Sequence, residues 1–317
     1  MVKKPLKIGV VMDPIAHIKP LTDSTLALMR AARDLGAALL YMEQADLHLK
    51  NGHAYARLRP VDVFDNDQNW FTLHEPQILP LTALDVILMR KDPPVDKRFI
   101  HTCYMLEQAV RDGVRVWNDP SALLAHNEKV FTTLFPQFCP PYVIGSAKAV
   151  LQEFREQHEA IVIKPLDSMG GDGVFLVRRD DVNFDVIWEL HTQRGRYPVV
   201  AQAFLPEIAQ GDKRVNIFAG EPLDYALVRK PRPGSIRGNL ASGGSHETRP
   251  LNAREREIAT AVGQTLMAEG VIFAGLDIIG DYLTEINITS PTGLPALSRG
   301  CGINLPAVLM EKILARV

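Results

Sequence analysis

The chain of 317 residues is 46% apolar and 23% charged, a globular composition with enough length for two or three packed subdomains. Its net charge of −2 argues against the strongly basic field that nucleic-acid binding requires. No run approaches the ~18 apolar residues of a membrane span, and the apolar run Ile8 to Met12 stops at Asp13-Pro14, too short for a signal-peptide core. The 3 cysteines, Cys103, Cys139 and Cys301, are far apart and form no C-x-x-C, so they read as reduced thiols of a cytoplasmic protein.

The first third alternates short apolar runs with amphipathic ones. Leu6 to Met12 predicts a buried strand, followed by a helix from about Ser24 to Leu35 with Asp23 or Ser24 as cap and Gly36 as stop. Ala38 to Met42 predicts a second strand, Leu84 to Met89 a third, Phe99 to Arg111 a helix, and Val114 to Trp117 a fourth strand. Strands alternating with helices imply right-handed crossovers and a doubly wound parallel sheet, whose ligands sit at the carboxyl ends of the strands. Two polar segments fall at such ends, Asp13-Pro14 and Arg90 to Pro94.

Beyond Pro120 the pattern changes. A helix is expected from about Ser121 to Leu134, then a strand over Tyr142 to Ile144, a helix over Ala147 to Gln157 and a strand over Ala160 to Lys164. The last third predicts hairpin-like strands at Val215 to Ala219, Leu223 to Arg229, Ile272 to Ile279 and Tyr282 to Ile288, interrupted by a long helix from about Asn252 to Glu269. Strands with segregated helices indicate α+β lobes. Domain boundaries are expected at 1–122, 123–203 and 204–317. Lys230 to His246 is rich in Gly, Pro and Ser, and loops of that length are usually lids or disordered segments.

Four constellations carry chemistry. In the first, the strand ending at Lys164 runs into Ser168-Met169-Gly170-Gly171-Asp172-Gly173, and then into a strand over Val174 to Arg178. Glycines let backbone N–H groups converge on an anion, and Lys164 supplies a point charge for phosphates. No G-K-[ST] follows, so this is not a Walker A loop, and by itself the segment fits a glycine-rich hairpin with an incidental lysine equally well.

In the second, Glu285 and Asn287 are two apart in a β run and share a face, and a three-residue turn at Gly280 to Tyr282 would set Asp277 opposite Glu285. Such an oxygen set suits Mg²⁺. An edge hairpin with solvated residues remains open. The third is cationic: Lys129, Lys213-Arg214, Arg229 and Arg237, a set able to neutralise a transferring phosphoryl group, although each is individually compatible with a surface charge. The fourth, Val199 to Pro206, is an apolar strand that could offer its backbone to an adenine edge with Phe204 and Leu205 as walls, or be simply a buried strand.

These pieces stand in the order of the ATP-grasp superfamily. N-E-K (Asn127 to Lys129), I-K-P-L-D-S-M-G-G, G-D-K-R (Gly211 to Arg214), R-G-N-L-A-S-G-G (Arg237 to Gly244) and T-E-I-N-I-T-S-P-T (Thr284 to Thr292) resemble the bacterial glutathione synthetase family. So do V-V-M-D-P-I (Val10 to Ile15) and L-M-R-K-D-P-P (Leu88 to Pro94), which are the more specific to it.

The resemblance implies a pre-ATP-grasp domain followed by a two-lobed ATP-grasp domain, and a ligase joining glycine to γ-glutamylcysteine with ATP and Mg²⁺ or Mn²⁺, as a cytoplasmic homotetramer. By the same resemblance Lys129, Lys164, Ser168, Met169, Gly170, Gly171, Gly173 and Asp212 would bind the nucleotide, with Gln202, Ala203, Phe204 and Leu205 as adenine hinge. Asp277, Glu285 and Asn287 would hold the metal. Arg214, Arg229, Arg237 and Asn239 would be catalytic, and Lys230 to His246 would be the lid. Arg90, Lys91, Asp92, Ser290, Pro291 and Thr292 would bind the peptide. After Gly293 the family continues I-R-E-I where this chain reads Leu294-Pro295-Ala296-Leu297. The rival classes are another ATP-grasp carboxylate–amine ligase and a non-catalytic nucleotide-binding scaffold of the synapsin type.

Overall fold

The computed structural model describes residues 5–236, 238 and 244–317. In its first domain β1 (Lys7–Val11), α1 (Ser24–Asp34), β2 (Ala38–Met42), β3 (Leu47–Lys50), β4 (His53–Val63), β5 (Phe71–Leu73), β6 (Gln77–Pro80), β7 (Val86–Met89), α2 (Lys97–Arg111) and β8 (Arg115–Trp117) follow in order. The parallel strands are ordered β2-β1-β7-β8, so β1 and β7 flank the point where the winding reverses. β1 is apolar from Ile8 to Val11 because both faces are covered there. Ile8 and Val10 pack in one core with Leu28 and Met29 of α1, while Val11 packs in the other with Phe99, Cys103 and Leu106 of α2.

The parallel strands continue into antiparallel β4, which also pairs with β3, β5 and β6, none of them anticipated from sequence. The inward positions of β4 are the small Ala54 and Ala56 together with Leu58, and Pro60 interrupts the strand pattern, so its hydrophobic alternation is faint.

α3 (Pro120–Ala125) leads to the second lobe, which comprises β9 (Tyr142–Gly145), α4 (Lys148–Glu156), β10 (Ala160–Pro165), β11 (Phe175–Arg178), α5 (Phe184–Thr192) and β12 (Val199–Ala203). Its antiparallel sheet has the order β11-β10-β12-β9. The third group is β13 (Asp212–Phe218), β14 (Glu221–Lys230), β15 (Ser245–Pro250), α6 (Ala253–Ala268), β16 (Phe273–Ile279) and β17 (Tyr282–Asn287), followed by α7 (Leu294–Cys301) and α8 (Leu305–Leu314). Here the sheet order is β15-β14-β13-β16-β17, and α6 lays Ile258, Ala259, Val262 and Leu266 into the same core as β13 and β16. A capping box between Asn252 and Glu255 starts α6.

One expected element needs correction. The helix expected over Ser121 to Leu134 ends at Ala125, and a 3₁₀ turn takes Val130–Leu134. Asn127 is the cause: its Oδ1 accepts the N–H groups of Lys129 (3.0 Å) and Val130 (3.2 Å), an alternative to the helical ladder. The Leu294-Pro295-Ala296-Leu297 segment opens α7, where Leu294 and Leu297 join Leu26, Met29, Leu309 and Met310 in one core. The C-terminal helices therefore fold back onto the first domain.

Asn118 joins that domain to the third sheet. Its Nδ2 donates to Phe273 O (2.8 Å) and Ile288 O (2.6 Å), and its Oδ1 accepts from Ile272 N (2.9 Å) and Phe273 N (3.0 Å). All four groups are buried, so a residue that cannot replace both bond types leaves them unsatisfied. Asn118→Ala is expected to destabilise the chain by about 3 kcal/mol or more and to lower the thermal unfolding midpoint by about 5 °C or more. Asn118→Asp, which keeps acceptance and loses donation, should not restore it. Differential scanning fluorimetry checks both.

Candidate active site

β13, β14, β16 and β17 bring their charged residues to one face because strand side chains alternate. Arg214 lies directly opposite Asp277, Asp277 opposite Glu285, and Asp212 opposite Arg229. The Asp277–Glu285 pairing agrees with the spacing argument, but the turn does not. It holds two residues, Gly280 and Asp281, and a bulge beside Asp277 supplies the offset. Thr284 is the extra residue, and its Oγ1 donates to Asp277 O at 3.0 Å.

Asp277 is the centre of the charge cluster. Its Oδ1 receives Arg214 Nε at 2.6 Å and Arg229 Nη2 at 2.8 Å, and its Oδ2 receives Arg214 Nη2 at 3.1 Å. Arg229 also bonds Asp212 Oδ2. Burial alone would raise Asp277, yet Arg214 and Arg229 hold its carboxyl well below the ordinary carboxylate range. Asp212 shifts the other way, to about 6, because burial outweighs Arg229 and Asp277 adds repulsion. Gly275 is needed here for space: a Cβ on it would stand 2.7 Å from Arg214 Cδ. Asn287 donates to Gly275 O (3.0 Å) and Asp277 Oδ2 (3.2 Å), which leaves its Oδ1 without a hydrogen bond among the described residues.

The glycine turn after Lys164 takes positive φ at Gly170 (63°), Gly171 (81°) and Gly173 (64°), a conformation that residues with a Cβ rarely adopt. The break at 127–129 fastens that turn to the rest of the site through three consecutive side chains. Asn127 Nδ2 donates to Leu166 O at 2.8 Å. Glu128 Oε1 accepts from Ile288 N (2.8 Å), Thr289 N (2.9 Å) and Thr289 Oγ1 (2.9 Å). Lys129 Nζ donates to Ser168 O at 2.6 Å and pairs with Glu285 Oε1 at 3.1 Å. Burial and the nearby Glu285 raise the Glu128 carboxyl, against the pull of its donors at Thr289 and Ile288.

The second and third lobes enclose a cleft of about 820 Å³ between them, partly open to solvent. It is walled by Val162, Phe204, Leu205, Ile208 and Ile279, and it carries Lys129, Lys164, Ser168, Met169, Gly170, Gly171, Asp212, Asp277 and Glu285. Lys164 Nζ donates to Gln202 Oε1 at 2.8 Å, and burial lowers its pKa. At the hinge the N–H groups of Ala203 and Phe204 are already taken by Pro141 O (2.9 Å) and Ala160 O (3.0 Å). Among the described residues the Leu205 N–H has no such partner and remains for a ligand.

A second cleft of about 880 Å³ adjoins the first, and Met169, Gly170 and Glu285 line both. Asp92, Arg214, Arg229, Asn287 and Ser290 to Thr292 line only this one. Arg90 and Lys91 are placed otherwise than as open substrate contacts. Arg90 is buried, with Nη2 donating to Pro291 O (2.9 Å) and Nε to Thr25 Oγ1 (3.1 Å), so it fixes the loop rather than facing the cleft. Lys91 pairs with Asp13 at 2.9 Å and faces a separate hollow with Glu43 and Arg98. Arg237 and Asn239 lie outside the described residues; Ile236 and Gly238, which flank Arg237, line the first cleft.

Sequence reasoning missed Glu128, Thr284 and Asn118. For Glu128 a signal existed: four polar residues in succession, His126 to Lys129, interrupt a mostly apolar stretch.

The residues fit a nucleotide and a hard cation. The buried Asp212 Oδ1 has no partner, the glycine turn offers N–H groups, and Lys129 and Lys164 stand beside it. Asp277, Glu285 and Asn287 supply oxygens on one face. Among the described residues no group of three or more His, Cys, Asp or Glu is placed to hold a metal ion by itself, and a set of two carboxylates and a carboxamide would have to share a hard cation with phosphate oxygens.

The fold and the paired clefts are those of an ATP-grasp protein. D-cycloserine synthetase DcsG superposes with a TM-score of 0.70 at 13% identity, over 98% of this chain and 99% of that one. The VanG D-Ala:D-Ser ligase of Enterococcus faecalis superposes with 0.64 at 15% identity, over 98% and 99%. Residues 6–123 match the N-terminal domain of prokaryotic glutathione synthetase and residues 128–301 its ATP-grasp domain, so the chain belongs to the prokaryotic glutathione synthetase family of ATP-dependent ligases. It is 49% identical over 308 residues to the glutathione synthetase of Pseudomonas putida, covering 97% of each chain. It is 46% identical over 312 residues to that of Escherichia coli O127:H6, covering 98% of this chain and 99% of the relative. Among the described residues no helix is long and apolar enough to cross a membrane.

Asp277 differs from its neighbours in what its loss does to the fold. Asp277→Asn removes the charge that compensates two buried guanidinium groups, which should destabilise the ligand-free chain by about 3–5 kcal/mol. Glu285→Gln should shift it by less than about 1 kcal/mol, because its partner Lys129 keeps the bond to Ser168 O. Chemical denaturation without nucleotide measures the contrast.

Proposed function

We propose that the chain joins glycine to γ-L-glutamyl-L-cysteine with cleavage of ATP, giving glutathione, ADP and phosphate. The observation that carries this reading is the junction of the two clefts at Met169, Gly170 and Glu285. A triphosphate in the first cleft would end where a carboxylate in the second begins, flanked by Lys129, Lys164, Arg214 and Arg229.

Asp277, Glu285 and Asn287 are the residues that would hold Mg²⁺, with Mn²⁺ as substitute. When bound, the cation offsets charge on the phosphates and the attacking carboxylate. Lys129 and Lys164 hold the phosphate chain under the glycine turn, and Leu205 presents its N–H to the adenine edge. Arg214 and Arg229, fixed by Asp277 and Asp212, face the reacting carboxylate and need no rearrangement to stabilise its phosphorylated form. The cysteinyl carboxylate oxygen takes the γ-phosphoryl group as ADP leaves. The glycine nitrogen then attacks the acyl carbon as phosphate leaves. Ser290 and Thr292 line the cleft where peptide and amine meet, held by Arg90 through Pro291.

The small-molecule substrates require no nucleic acid or membrane. A cytoplasmic homotetramer rests on family resemblance.

ADP release should require γ-glutamylcysteine, glycine and a divalent cation together; equal turnover with D-alanine alone would move the assignment to another ATP-grasp ligase. Glu285→Gln and Asn287→Ala should each lower kcat at limiting Mg²⁺ by about tenfold or more, with partial recovery as Mg²⁺ rises. A coupled ADP assay over a Mg²⁺ titration reads both outcomes, and wild-type behaviour in the double variant removes the hairpin from the metal site.

A further inference from the structure

Glu128 uses one oxygen and keeps the other. Three donors, Ile288 N, Thr289 N and Thr289 Oγ1, converge on Oε1. Among the described residues Oε2 receives no hydrogen bond and no Lys, Arg or His pairs with Glu128. Lys129, its chain neighbour, is committed to Ser168 O and Glu285. Glu128 nevertheless lines the second cleft beside Asn287, Ser290 and Thr292.

The cleft's cations are occupied as well. Arg214 and Arg229 are held by Asp277 and Asp212. The cleft thus presents a half-buried carboxylate with a free oxygen and no resident counter-ion. That oxygen is aimed by three bonds to the same backbone segment that continues into Ser290 to Thr292. Partly desolvated carboxylates without a partner are good receptors for a cation that arrives with a ligand.

The other acids of the cleft are differently placed. Glu285 is paired with Lys129 and assigned to the metal. Asp92 lies on the loop after β7, where its N–H donates to Asp13 Oδ2 (3.0 Å), and among the described residues no hydrogen bond anchors its carboxylate against Ser290 to Thr292.

We propose that Glu128 Oε2 is the subsite for the ammonium group of the acceptor amino acid, with Oε1 setting its position against the substrate loop. The inference rests on the ligase reading above. Glycine reaches the enzyme mainly as an ammonium zwitterion, and a carboxylate here receives that form in the cleft that Glu285 joins to the phosphate site; the nitrogen passes one proton to water before it attacks the acyl carbon.

The test is Glu128→Gln. The amide oxygen can still accept the three donors, while the NH₂ group in place of Oε2 repels an ammonium. KM for glycine should rise about 10- to 100-fold, with KM for ATP and γ-glutamylcysteine changed less than about twofold. Hydroxylamine, an amine uncharged near neutral pH, should form hydroxamate with the activated peptide at close to the wild-type rate. A purely structural role would lower the glycine and hydroxylamine reactions together, and that result overturns the proposal. So does an unchanged glycine KM in Glu128→Gln, or the same rise produced by Asp92→Asn alone. If Glu128→Gln does not fold, Glu128→Asp takes its place with the same ratio of glycine to hydroxylamine turnover as readout. A wild-type chain that fails to use glycine overturns the ligase reading itself, which separates that failure from this one.

Discussion

Asp277 is clamped between two guanidinium groups, and the geometry of both clefts follows from that clamp. Two buried cations close together repel unless an anion stands between them, and desolvation makes the arrangement all-or-none. With Asp277 in place, Arg214 and Arg229 are both held by ion pairs and line the second cleft. Asp212 is the secondary partner, which is why burial raises it while Asp277 is lowered. The cluster needs strand register to the residue: Arg214 faces Asp277 and Asp212 faces Arg229 across neighbouring strands. A slip by one residue would send all of them to the α6 side.

Around that sheet, a few polar side chains join separate pieces of chain. Asn118 bonds four backbone groups at the start of β16 and just beyond β17, which ties the first domain to the third sheet. Asn127, Glu128 and Lys129 reach the glycine turn, the substrate loop and Glu285 from three successive positions. Because a regular helix would send those side chains in different directions, the end of α3 at Ala125 is a condition for the site rather than a defect.

Much of this was legible before any coordinates. The apolar runs of β1, β2 and β7 alternate with amphipathic α1 and α2, and period alone distinguishes strand from helix in such cases. The glycine turn was legible because positive φ excludes most other residues, and the Glu285/Asn287 face because alternation is geometric. The strands over residues 47–80 were not, since small inward alanines and Pro60 weaken the signal in β4. Nor were α7 and α8, which are only 8 and 10 residues long and each carry a proline in the first turn, so their apolar pattern is too brief to set a period. Asp277 was placed opposite Glu285 by a turn of the wrong length, and the bulge at Thr284 supplied the compensating residue.

By itself, the sequence determined the local elements, the residue types able to bind phosphate and a hard cation, and the family. These depend on backbone sterics, on alternation and on motifs contiguous along the chain. Tertiary structure alone decided which charges neutralise which, that Arg90 faces inward while Lys91 leaves the cleft, and that Glu128 retains a free oxygen. Those outcomes turn on contacts between residues far apart in the chain, such as Glu128 with Thr289 and Arg90 with Pro291. Burial and distance set the sign and strength of such contacts, and neither quantity exists until the lobes have packed.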